Sequence, residues 1–277
     1  MNAPLSPSPT RPIFPAPRVM PNAAHAFGGV WRLTVGRFFT TGHGLALLGM
    51  LVLLAMFALG ASSSKPRIAG YLTWAALFYV CFLVPILAFI SAAGAIREDL
   101  KAGSVDYIFT RPVRRPAFTL FRFFSHVACA QLDYVLALAV VAGIGLFAGV
   151  PGMWKAVPLL WVAQAIVIVV FSAFGFFCGL LTSRYVIVGL LYGAIVEVGV
   201  GSIPTQLNRI SMLRHVTEIL RPVLGDARIG MGGPAAADPL SAPAAIALLL
   251  SFSAVLLAVA AALFTVKELA GESGRDT

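Results

Sequence analysis

Apolar residues fall into six long runs separated by short polar stretches, a pattern that predicts membrane-crossing helices. The runs extend from about Thr40 to Ala61, Ala69 to Ile96, Phe118 to Val150, Leu159 to Thr182, Tyr185 to Ile203, and Ala244 to Val266. At about 1.5 Å per residue, each is read as able to cross roughly 30 Å of hydrocarbon. The second and third are longer than a crossing needs, which predicts extension into the cytoplasm. Ahead of them, Phe27, Val30, Trp31, Val35 and Phe38 recur at helical spacing between His25 and Phe39, with Arg32 and Arg37 available to headgroups. That stretch predicts an interfacial helix along the inner leaflet. Residues 1–24 hold seven prolines and no long apolar run, so they are expected to be a disordered cytoplasmic tail. Residues 25–277 then form one transmembrane domain.

The polar stretch between the second and third runs is the most informative. From Ser91 to Arg122 it carries Arg97, Lys101, Arg111, Arg114, Arg115 and Arg122 against Glu98, Asp99 and Asp106. The positive-inside rule places it in the cytoplasm. Alternating the remaining loops puts thirteen cations inside and seven outside, with both termini inside. Gly103 can end one short helix and Ser104 can cap the next, with Asp106 in its first turn. Pro112 stops that second helix, and Pro116 suits the first turn of the next long one.

A second polar region, Pro204 to Pro243, is expected outside. Leu207, Ile210, Leu213, Val216 and Leu220 share one face, and Arg214 with Glu218 forms an i,i+4 pair. An amphipathic helix is expected there, either flat on the outer surface or dipping into the bundle, followed by an irregular Gly-, Pro- and Ala-rich half.

Composition agrees with a membrane class: 59% of residues are hydrophobic, 11% are charged, and mean hydropathy is +0.91. The net charge of +9 is distributed between apolar runs without an aromatic-interleaved basic patch, so it reads as topology and contact with membrane lipid, not nucleic-acid binding. Cys81, Cys129 and Cys178 all lie inside apolar runs and are read as buried apolar residues. Arginine outnumbers lysine 16 to 4, a bias associated with GC-rich bacterial genomes.

Two carboxylates fall within predicted spans, where a charge costs roughly 2.5–3.5 kcal/mol on insertion scales. Asp133 shares a helical stripe with Arg122, His126 and Cys129, and an interhelical polar contact is expected. A metal or proton-relay role for His126, Cys129 and Asp133 lacks ligands, because one helix supplies too few; no metal site is expected. Glu197 continues a row with Gly189, Gly193 and Gly201, and the fourth run carries the related pair Gly175 and Gly179. Small residues at this spacing predict close helix packing, with a subunit interface as one place for it, and Glu197 hydrogen-bonded there or lining a pathway. Pro85 predicts a kink in the second span.

No GxxxxGK[ST] loop, HExxH, GxSxG or paired His/Cys cluster occurs, so neither ATP hydrolysis nor intramembrane hydrolysis is expected of this chain.

The segment between the second and third runs resembles that of permease subunits of type-2, six-span ATP-binding-cassette exporters. The residues that carry the likeness are Glu98 and Asp99, Gly103 with Ser104 in place of Thr, Tyr107 to Phe109, and Pro112 with Arg115. The resemblance implies an all-α fold of six transmembrane helices in a bacterial inner membrane, with an N-terminal elbow helix and a cytoplasmic coupling loop. It also implies a re-entrant or surface-lying element between the fifth and sixth spans. A separate ATPase subunit carrying ATP and Mg would grip the loop, and a second permease subunit would complete a homodimer. Two other readings stay open: a membrane scaffold recruiting cytoplasmic proteins, and an ion-coupled carrier using Asp133 and Glu197, for which related halves and interrupted helices are expected. A basic loop that merely orients the chain on anionic lipid is a further reading of the same residues.

Overall fold

The computed structural model of the protein describes residues 22–63, 65–100, 115–202, 206–225 and 240–266, and every regular element among them is helical. Helix α1 (Ala23–Phe38) is followed after a two-residue break by α2 (Thr41–Ser62). The Thr40 side chain caps α2 by accepting from the His43 N–H at 3.3 Å. The second apolar run is one helical rod in three parts: α3 (Lys65–Trp74), π-helical turns over Ala75–Leu83, and α4 (Val84–Asp99). Pro85 explains the change of register. It lacks an N–H and its ring crowds the preceding turn, and just before it the Val84 N–H reaches back five residues to the Tyr79 carbonyl. The kink expected at Pro85 therefore takes the form of widened turns ahead of the proline.

Helix α5 (Arg115–Phe147) and helix α6 (Met153–Leu181) form an antiparallel hairpin. Gly149 and Gly152, at φ +73° and +75°, make its turn in a region that favours glycine. Helix α6 begins before the expected Leu159 and holds Pro158 near its start. Helix α7 (Tyr185–Tyr192) continues as π-helical turns over Gly193–Gly199 and a 3-10 turn over Val200–Ser202. After a 3-10 turn at Gln206–Ile210 come α8 (Met212–Ile219), the short α9 (Arg221–Leu224), and α10 (Ala242–Val266).

Among the described residues, five helical stretches are long and apolar enough to cross a membrane: Thr41–Ser62, Gly70–Asp99, Arg115–Phe147, Met153–Leu181 and Ala242–Thr265. The protein is an all-helical, multi-pass membrane protein. Tyr185–Gly199 is apolar but shorter. It rises only about 22 Å, less than the roughly 30 Å of a hydrocarbon core.

Helix α6 is the centre of the bundle, packed by α4, α5 and α10. Its contact with α4 is backbone to backbone. A Cβ on Gly175 would lie 2.5 Å from the Phe89 carbonyl oxygen, and one on Gly179 would lie 2.8 Å from that of Ala93. The facing residues Ala88, Ala92 and Ala93 are fully buried. Without a hydrophobic drive between helices in lipid, such close approach supplies dispersion contact. Buried hydroxyls tie the rod of α3 and α4 to its neighbours: Tyr71 Oη donates to the Val141 carbonyl at 2.7 Å, and Tyr79 Oη lies 2.6 Å from Gln164 Oε1. Helix α2 lies at the edge, with only Leu54 and Ala58 buried.

Two expectations are corrected. Close packing along the glycine row of the fifth run fails at Gly193, where a Cβ would meet nothing within 4 Å, whereas one on Gly189 would run into the Phe89 ring, a tight approach. The amphipathic helix expected from residue 205 begins at Met212, so Val216 and Leu220 are buried whereas Leu207 and Ile210 are exposed.

Candidate functional site

Three features stand out from ordinary apolar packing: a charged cluster at the end of α4, a buried carboxylate at the end of the α7 segment, and a cavity between α4, α6 and α7.

The charged cluster forms where α4 stops. Asp99 is its last residue, and its side chain is completely buried. Arg122, one face of α5 inward from Arg115, donates from Nε to Asp99 Oδ2 at 2.6 Å and from Nη1 to Thr34 Oγ1 at 2.8 Å. Arg37 of α1 donates to the other oxygen, Oδ1. Thr34 in turn donates to the Val30 carbonyl within α1 at 2.8 Å. Charge-assisted bonds to both carboxylate oxygens fix direction as well as distance. Three helices that are far apart in sequence thus meet on one carboxylate, at the base of the segment between α4 and α5. Beside it, Glu98 and Arg115 are exposed at the two helix ends that flank this segment. Gly103, Ser104, Tyr107, Arg111 and Pro112 lie outside the described residues.

Glu197 is held differently. It lies in the π-helical turns after α7 and is only 7% exposed. Oε1 accepts from Tyr192 Oη at 2.6 Å and from the Met212 N–H at 3.1 Å, while Oε2 accepts from the Leu213 N–H at 3.0 Å and from Ser211 Oγ. Each oxygen receives two bonds, and two of the four donors are orphan N–H groups at the start of α8. Ser211 also caps α8 by accepting from the Arg214 N–H at 3.2 Å. The carboxylate is therefore the anchor of α8, whose Met212, Val216 and Ile219 are buried. Farther along, the Arg221 guanidinium binds Glu218 and donates to the Leu240 carbonyl at 2.7 Å.

Asp133 forms an interhelical contact, but not with its own stripe: His43 Nε2 of α2 lies 2.8 Å from Asp133 Oδ2. His126 sits between the rings of Phe38 and Phe176, with Nε2 lacking a hydrogen-bond partner. Among the described residues, no three His, Cys, Asp or Glu side chains come together as a metal-ligand set.

The cavity has a volume of about 320 Å³. Pro85, Phe89, Phe171 and Phe174 form its buried floor, and Ile86, Ile90, Val186 and Leu190 form an exposed rim. Glu197 and Tyr192 stand at one end with Cys81.

Sequence reasoning missed Thr34, Arg37, His43 and Ser211. Three of these act across long sequence separations, where periodicity gives no signal. Ser211 did have one: a serine directly before an apolar helical run is an N-cap signature.

No protein-family model matches the chain, and no curated protein is significantly similar to it.

Proposed function

We propose that this protein is the membrane-spanning permease subunit of an ATP-driven exporter of the type-2 ATP-binding-cassette kind, working with a separate ATPase subunit that carries ATP and Mg. In this reading Tyr185–Gly199 together with the turns after it serves as the fifth of six spans, and α8 dips into the bundle beside it. Helix α1 is the elbow on the inner leaflet of a bacterial inner membrane, both termini are cytoplasmic, and a second copy completes the transporter.

The observation that carries the proposal is the cluster on Asp99. A push delivered to the segment between α4 and α5 reaches, through Asp99, Arg122, Thr34 and Arg37, three helices at once. A basic loop that only oriented the chain would not need a buried ionic junction behind it. The exposed Glu98 and Arg115 are the residues offered to the ATPase.

The test is purification of the tagged full chain from its native membranes in mild detergent, with vanadate-sensitive ATP hydrolysis as the readout. The proposal predicts hydrolysis in the wild-type preparation and its loss in the Glu98→Arg, Arg115→Glu double variant at unchanged thermal stability. Equal hydrolysis in both preparations would remove the docking assignment, and none in either would remove the exporter reading.

A further inference from the structure

We infer that the cavity between α4, α6 and α7 is a binding site for one acyl chain of a membrane phospholipid, a conclusion that holds whether or not an ATPase drives the protein.

Depth identifies the chemistry. The lining residues of α4 and the turns before it run from Cys81 to Ile90, within the continuous helix Gly70–Asp99. Each end of that helix is about 14–16 Å away along the axis, half the thickness of a hydrocarbon core. Headgroups do not reach this level, whereas acyl chains fill it. The rim is continuous with the outer face of the bundle: Leu190 is 66% exposed and Phe82 50%. The open side therefore faces whatever surrounds the middle of the helices.

Water is a poor occupant, because an apolar cavity without hydrogen-bond partners stays dry. The polar groups at its end are already engaged, since Tyr192 Oη donates to Glu197 and the Glu197 oxygens each accept two bonds. An empty space of this size would deprive the aromatic floor of dispersion contacts. A helix of a second copy, about 10–12 Å across with its side chains, is too thick to enter the space, although it can cover the rim. A single flexible hydrocarbon chain has both the width and the surface chemistry to fill it.

The cavity is kept open by Gly193. It lines the space, and a Cβ there meets nothing within 4 Å, so a side chain added at this position starts into open volume. Gly189, by contrast, gives way to the Phe89 ring, which forms part of the floor.

The experiment uses the full chain in nanodiscs of phosphatidylcholine carrying a diazirine at the middle of one acyl chain, with photolabelled residues mapped by mass spectrometry. The expected result is label on the floor residues Phe89, Phe171 and Phe174 well above that on Val167, which is buried away from the cavity. In Gly193→Leu, floor labelling should fall by roughly five-fold as the new side chain takes up the space. Label on Leu48 and Met56 of the exposed face of α2 should stay unchanged and reports an intact bundle. Floor labelling no higher than that of Val167 in the wild-type protein overturns the inference without recourse to any variant. Strong floor labelling that persists in Gly193→Leu with α2 labelling intact overturns it equally, as does a rim shielded from lipid by a second copy.

Discussion

The two sides of α4 are built on opposite principles. Toward α6 the contact is closed: glycines admit the neighbouring backbone, the facing alanines are fully buried, and the helix ends on an ionic junction with α1 and α5. Toward α7 it is open: the partner helix is short, ends in π-helical turns, and leaves a cavity along much of the contact. Gly189 rests on the Phe89 ring there, and beyond the cavity Glu197 ties the end of that segment to the start of α8. The difference teaches that this bundle concentrates rigidity on one flank and leaves the other dependent on few bonds. Regions with few buried apolar contacts are where local opening takes place.

The largest effect is expected at the closed side's junction. Asp99→Ala leaves the buried Arg122 without its counter-charge and should cost about 3–5 kcal/mol, the range for breaking a buried pair from one partner. Thermal unfolding in detergent should show it as a large fall in midpoint, and a fall of only a degree or two would mean that the junction is not what secures this flank. Next comes the glycine seam. Gly175→Ala places a methyl carbon against the Phe89 carbonyl, an overpacking that costs about 1–3 kcal/mol, partly offset by about 1 kcal/mol of helix propensity. The same thermal assay should place it between Asp99→Ala and wild type.

On the open side the expected fall in midpoint is smaller, because the cost is confined to one short element. Glu197→Ala strips two backbone N–H groups of their acceptor, each worth roughly 1–3 kcal/mol when left buried. The cost should fall on α8 alone, read as faster proteolysis between Gln206 and Arg221 with little change in the midpoint. A midpoint loss as large as that of Asp99→Ala would erase the contrast between the two flanks. Smallest of all is Gly193→Ala, where the methyl group enters open space and should stabilise by up to about 1 kcal/mol.

How much of this could be read from the sequence follows from the range of the interactions. The apolar runs specify helices because helix formation depends on neighbours three and four residues apart, and the runs and the helices coincide to within a few residues at most ends. The junction escaped because Arg37 and Asp99 are 62 positions apart, and Arg122 and Thr34 are 88. Arg122 was grouped with Asp133 as one stripe, and both are buried, yet Arg122 meets the end of α4 whereas Asp133 meets His43 of α2. The glycine row was legible only in part. Gly189, Gly193 and Glu197 line one cavity, so the row keeps to one face, and whether a member meets a neighbour depends on what stands opposite it, which spacing does not encode. Gly189 meets the Phe89 ring and Gly201 meets Ser211, whereas Gly193 opens on the cavity.

Hydrogen exchange of the wild-type chain in lipid nanodiscs tests the contrast between the flanks most directly. Amides of Val84–Asp99 and Met153–Leu181 should exchange slowest and together, while those of Gly193–Gly199 and Met212–Ile219 exchange well ahead of them as a separate unit. Equal protection across all four segments would contradict the account.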